Sequence, residues 1–207
     1  MSRIRKINTK EKHYYIVDTN FLVNVFIPVK ESMQVKEKKR IESCKDWWRY
    51  IKKHVGSGKA KIYIPDLCIA ETFKALAKKY YKEKILNIHE YTSCQRRLSR
   101  LLKIPSEKLR KRDRKIGVHD ISTNRDIIIS VDRFFEIFFK NNINVQIVDL
   151  IILAIAKYLM DFYDFDANKC SIISLDERLE KGAKYLRDIP YIYNPTREKN
   201  TAASVFI

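Results

Sequence analysis

Apolar and polar positions along this chain switch repeatedly between two periods, and the switches lay out its elements. The run Tyr14-Tyr15-Ile16-Val17 is apolar and β-branched and stops abruptly at Asp18-Thr19-Asn20. Such a run predicts a buried strand closed by a turn. Short stretches at 61–64, 117–121, 170–175 and 189–193 predict further strands. Between them, apolar residues recur at the three- and four-residue spacing of helices buried on one face.

That spacing predicts a short helix over 21–26, closed by Pro28. A charged helix over 32–55 follows, with Ile41, Cys44, Trp48, Ile51 and Val55 on its buried face. Gly56-Ser57-Gly58 ends it, an informative break in a chain with 4 glycines. Pro65-Asp66 opens a helix whose apolar stripe reads Ile69, Phe73, Leu76, Ala77 and Tyr80, with Glu71 off the stripe. A basic helical arm over 82–115 comes next. Then comes a helix over 124–141 facing inward through Ile127, Val131, Phe134, Phe135 and Phe138. The helix over 144–163 is nearly apolar all round after Asp149 and is expected to be the central buried one. A last helix covers 177–187.

Strands alternating with helices predict an α/β fold with a mostly parallel central sheet flanked by helices. The expected organisation is a basic segment 1–13, a domain 14–193 with a helical insertion at about 82–116, and a flexible tail 194–207.

Charge changes the picture. The chain carries 42 Lys+Arg against 25 Asp+Glu, a net +17, which favours a polyanionic partner. The basic residues crowd the arm: Arg96, Arg97, Arg100 and Lys103, then Lys108, Arg110, Lys111, Arg112, Arg114 and Lys115. A solvated face accounts for such a run, but blocks this one-signed also typify segments that contact nucleic acid. No apolar run approaches the ~20 residues needed to span a bilayer, and the polar N-terminus is unlike a secretory signal. A soluble, cytoplasmic protein is expected.

The remaining chemistry is quickly bounded. Cys44, Cys68, Cys94 and Cys170 are scattered and form no C-x-x-C pair, which argues against a zinc module and gives no disulfide framework. Reduced, buried thiols are expected. The histidines are dispersed along the chain. No H-E-x-x-H, nucleophile elbow or glycine-rich phosphate loop occurs. The pairs Trp47-Trp48 and Tyr80-Tyr81 suit base stacking, although general burial favours the core for both.

Four acids stand in matching settings. Asp18 and Asp176 each end an apolar strand, Asp149 opens the most apolar helix, and Glu71 lies early in a helix that follows a strand. Helix capping offers a local excuse for the aspartates, and pairing with Lys74 offers one for Glu71. In a parallel sheet, however, strand ends and helix starts at one edge converge. Carboxylates crowded there raise one another's pKa unless something cationic offsets them. Hard ions such as Mg²⁺ or Mn²⁺ suit oxygen ligands and polarise phosphoryl groups.

The motifs Val17-Asp18-Thr19-Asn20, Pro65-Asp66-Leu67-Cys68-Ile69-Ala70-Glu71, Val148-Asp149-Leu150-Ile151-Ile152-Leu153-Ala154 and Ser174-Leu175-Asp176 occur in that order. Together they resemble the PIN-domain family of metal-dependent nucleases, which includes the VapC-type toxins. The resemblance implies a three-layer fold and endonucleolytic cleavage, usually of RNA. It implies Mg²⁺ or Mn²⁺ held by Asp18, Glu71, Asp149 and Asp176, with Thr19 and Asn20 supporting them. It also implies an antitoxin-like protein partner and pairing into homodimers. The stretch between Glu71 and Asp149 is longer than in compact toxins of the family, and the basic arm makes up the excess. Two other readings stay open on the residues alone. One is a non-catalytic nucleic-acid-binding module on the same fold. The other is an aspartyl-nucleophile phosphatase, although that class carries a second Asp where this chain has Asn20.

Overall fold

Residues 12–102, 117–187 and 189–197 are described by the computed structural model. Each stretch expected to be a strand contains one: β1 His13–Val17, β2 Ala60–Pro65, β3 Val118–Ile121, β4 Cys170–Ile173 and β5 Tyr191–Tyr193. They form one parallel sheet in the order β3-β2-β1-β4-β5. From β1 the chain builds outward through β2 and β3, then returns to the other side of β1 as β4. The crevice between β1 and β4 is therefore the point where the direction of winding reverses, and ligand sites gather outside the carboxyl ends of strands at such a point.

Tyr14–Val17 and all of β4 are buried, so both faces of the sheet's centre are covered. This is the three-layer α/β arrangement the sequence led us to expect. The helices are α1 Thr19–Phe26, α2 Val35–Gly56, α3 Asp66–Tyr81, α4 Ile88–Leu102, α5 Arg125–Lys140, α6 Ile147–Tyr163 and α7 Glu177–Ala183. As its composition demanded, α6 is buried without interruption from Asp149 to Ala156. It packs on α5, whose buried residues are Ile127, Val131, Phe134 and Phe138. All four cysteines are buried and free.

Several details differ from the periodicity. The buried line of α3 is Cys68, Thr72 and Leu76, one step round from the expected stripe. Thr72 tolerates full burial because its hydroxyl donates to the Cys68 carbonyl at 2.6 Å. Ile69, Phe73 and Tyr80 are half-buried instead. The helix α6 starts at Ile147, three residues after the expected start, because Gln146 caps it, and α7 stops at Ala183. Trp47 joins Trp48 in the core. Of the basic arm, α4 lies among the described residues. Lys103, Lys108, Arg110, Lys111, Arg112, Arg114 and Lys115 lie outside them, as do 1–11 of the N-terminal segment and 198–207 of the tail.

The short helix α7, which follows Asp176, seats against α5 through Gly182. A Cβ built on Gly182 would lie 2.1 Å from Phe138 Cε1, and Phe138 is fully enclosed. Gly182→Ala should therefore cost about 1–3 kcal/mol by overpacking, read from urea denaturation. Gly56→Ala is the control, since nothing lies within 4 Å of a Cβ there. Equal effects of the two substitutions would refute the packing argument.

Candidate active site

The neighbouring strands β1 and β4 end in register, with Val17 opposite Ile173. That register brings Asp18 and Ser174 together just beyond the sheet. The Ser174 hydroxyl donates to Asp18 Oδ2 at 2.8 Å and accepts from the Asp176 N–H at 3.0 Å. One small side chain thus ties together two of the four acids. Asp18 occupies the N-cap position of α1, yet its side chain makes no capping hydrogen bond. Asp176 does cap α7, accepting from the Arg178 and Leu179 N–H groups at 2.7 and 3.2 Å through Oδ1.

Asp149 is not an N-cap. It sits in the first turn of α6, where Oδ2 accepts the Gln146 N–H at 3.1 Å within a capping box. Glu71 accepts from the Thr19 hydroxyl at 2.9 Å rather than pairing with Lys74. All four carboxylates, with Thr19, Asn20 and Gln146, line one cavity of about 500 Å³. The structure brings together every acid that the motifs singled out.

Helices α1, α6 and α7 direct their positive N-terminal ends at this cavity. That help falls short of what the acids need. Among the described residues, none of the four carboxylates forms a salt bridge. Asp18 is 2% exposed, and burial pushes its pKa up to about 7, against the Ser174 hydrogen bond and with the Asp149 charge adding. Asp149 is pushed up to about 6, by burial first and then by the Asp176 charge.

An unmet demand for positive charge, among donors that are all oxygen, suits a hard divalent ion. Among the described residues no three Asp, Glu, His or Cys side chains close into a ready-made cage. Mg²⁺ does not need one, because it keeps several waters and takes one or two carboxylates. The open carboxylate-lined hollow fits that mode of binding, with Asp18 and Asp149 as its most enclosed donors.

Cations border the cavity from a direction the sequence analysis did not emphasise. Lys74, Lys78 and Lys82 of α3 and its C-terminal boundary line it, together with Tyr81. A second hollow of about 580 Å³ shares Asn20, Ala75, Lys78 and Asp176, and adds Arg40, Lys79, Arg178 and Lys181. The described arginines of the arm lie elsewhere. Arg97 donates to the Phe26 carbonyl at 3.3 Å and lies 5.4 Å from the centre of its ring, which fastens α4 to the end of α1. Arg96 and Arg100 line a separate hollow with Phe73 and Gln95. Asn20 is exposed and lines both the acidic cavity and the hollow beside it, and among the described residues its side chain bonds no carboxylate. Ser174 was missed as a site residue. The signal available was its place two residues before Asp176 in a strand-end motif.

No protein-family model matches the chain, and no curated protein matches it either. Among solved structures it is similar to FitAcB from Neisseria gonorrhoeae, with a TM-score of 0.50 and 11% identity over 87% of this chain and 97% of that one. The chain shares that fold. It is also similar to VapBC2 from Rickettsia felis bound to a DNA fragment from their promoter, with a TM-score of 0.49 and 10% identity over 87% of this chain and 98% of that one. Among the described residues no helix is long and apolar enough to cross a membrane.

The raised carboxylates give a signed pH dependence. Both bind protons more tightly in the folded chain than in the unfolded one. The stability they contribute is complete below the ordinary carboxylate range and is lost as pH rises through about 6 to 7. In EDTA, the melting temperature should fall between about pH 5 and pH 8, more steeply in the wild type than in Asp18→Asn. At the alkaline end Asp18→Asn should be the more stable protein. Parallel slopes for the two would show that Asp18 ionises normally.

Proposed function

We propose that this chain is a divalent-metal-dependent endoribonuclease of the kind the motifs resemble. The observation that carries the reading is the buried Asp18 carboxylate, which shares one cavity with three further acids and meets no protein cation among the described residues. Asp18 and Asp149 would hold Mg²⁺ or Mn²⁺, and Glu71 and Asp176 would complete the cluster. When bound, the ion supplies polarisation of a phosphoryl oxygen and a lowered pKa for water.

The chain's own residues do the rest. Ser174 and Thr19 fix the carboxylate orientations through their hydroxyls. Lys74 and Lys78, on the rim of the cavity, face the charge that develops on the phosphate. RNA is the substrate in this reading, and the net charge of +17 favours its capture. The resemblance to VapC-type toxins adds a protein partner of antitoxin type covering the cavity, and pairing with a second copy of the chain.

End-labelled mixed RNA should be cut with Mg²⁺ or Mn²⁺ and left intact in EDTA. Asp149→Asn should lose on the order of 100-fold or more in rate. Ser174→Ala, which keeps all four acids, should raise the metal concentration needed by about 10- to 100-fold. Tight binding without cutting under either metal would assign a non-catalytic module instead. Turnover of small phosphate esters in place of RNA would restore the phosphatase alternative.

A further inference from the structure

We infer that Tyr81 is a base-stacking platform, reached along a phosphate track formed by Lys74, Lys78 and Lys82. The track leads a single nucleic-acid strand to the carboxylates. This rests on the reading that the acidic cavity receives a nucleic-acid strand, and it names the residues of this chain that seat the strand.

Glu71, Lys74, Ala75, Lys78, Tyr81 and Lys82 all line the cavity. Their intervals of three and four residues place them on one side of α3. The lysines stand four residues apart, so each step advances about 6 Å along the axis. Glu71 and Tyr81 are separated by about 15 Å along the same axis. One wall of the cavity therefore runs from a carboxylate, past evenly spaced ammonium groups, to an aromatic ring. A strand laid along that wall sets phosphates over lysines and one base over Tyr81, some nucleotides from the acids.

Tyr81 is 63% exposed, whereas its neighbour Tyr80 is half-buried. The core assignment for this aromatic pair thus fails at Tyr81. The ring is nevertheless held. It meets Tyr80 edge-on at 4.6 Å and Tyr91 edge-on at 6.0 Å, and those two stack on each other at 4.9 Å. Gln95 donates to the Tyr91 hydroxyl at 2.8 Å. A ring held by two neighbouring rings loses little freedom when a base stacks on it.

Charge supports the same assignment. The C-terminal end of α3 is the negative end of its dipole and would repel a polyanion. Lys78, Lys79 and Lys82 crowd that end, and among the described residues one acid, Glu83, pairs with Lys78 and Lys79, at 3.2 and 3.5 Å. Among the described residues Lys74 and Lys82 form no salt bridge. Basic grooves interrupted by exposed aromatics are how proteins bind single strands, because each unpaired base offers a face for stacking. A duplex keeps its bases stacked and offers none to Tyr81.

The test uses the full chain in EDTA at low ionic strength, with fluorescence anisotropy on two labelled probes. One is an oligouridylate and the other an abasic ribose-phosphate strand of the same length. The wild type should prefer the oligouridylate. Tyr81→Ala should weaken oligouridylate binding by roughly 5- to 150-fold and leave the abasic strand within about two-fold. Tyr81→Phe should restore the preference, and Lys74→Gln and Lys82→Gln should weaken both probes, each reducing the salt slope by about 0.7. Four results would overturn the inference: equal loss on both probes in Tyr81→Ala, no loss on either, failure of Tyr81→Phe to rescue, or no wild-type binding. Should Tyr81→Ala fail to fold, Tyr81→Phe and Lys82→Gln still decide the matter. Since no divalent ion is present, absence of metal-dependent cleavage would sink the nuclease reading and leave this measurement standing.

Discussion

Asp18 closes the central strand in a position almost closed to water, with a hydroxyl for a neighbour and, among the described residues, no salt-bridge partner. Burying a lone carboxylate costs several kcal/mol unless charge and hydrogen bonds repay it. The surroundings repay it only in part, through the Ser174 hydroxyl and the N-terminal end of α1. Instead of relieving the remainder, the fold adds Glu71, Asp149 and Asp176 to the same cavity. An arrangement that raises its own electrostatic cost is poorly explained by stability. Clusters of perturbed acids in a cleft are more often explained by what they bind.

Topology explains why these acids meet. Winding outward from β1 to β3 and returning to β4 makes β1 and β4 neighbours, so Asp18 and Ser174 become adjacent although 156 residues separate them. Glu71 arrives on the helix after β2, and Asp149 on a helix seated against the sheet's centre. A strand slipped by one residue would turn Tyr14–Val17 over to the opposite faces of the sheet, and would pull Asp18 away from Ser174. Tyr14–Val17 and all of β4 are buried, so side-chain packing on both faces holds that register.

How much of this was legible differs from residue to residue, for physical reasons. Most strands were readable as short, largely apolar runs with polar ends, whereas β3 carries His119 and Asp120. The four acids were readable because Asp18 and Asp176 follow those ends while Glu71 and Asp149 stand early in helices. The buried side of α3 was not, since hydropathy cannot see that Thr72 is satisfied by the Cys68 carbonyl. Ser174 and Arg97 owe their roles to partners 156 and 71 residues away, and local patterns carry no trace of such partners. The lysines of α3 were visible by spacing, but the denser basic run that follows drew attention to the arm. Tyr81 was misjudged because aromatic residues are usually interior, whereas this one ends α3 with its ring exposed.

The pairing of β1 with β4 bears on the order in which the molecule acquires its cavity. Contacts between distant parts of a chain form late, because closing long loops costs entropy before anything is gained. During synthesis β1, β2 and α3 emerge well before β4, so Asp18 and Glu71 exist for some time without Ser174 or Asp176 beside them. A growing chain on the ribosome therefore holds an incomplete pocket, with Asp18 bordered by an empty lane where β4 will lie. Whatever chemistry the finished cavity performs is withheld until the last part of the sheet has docked, which separates making the protein from using it.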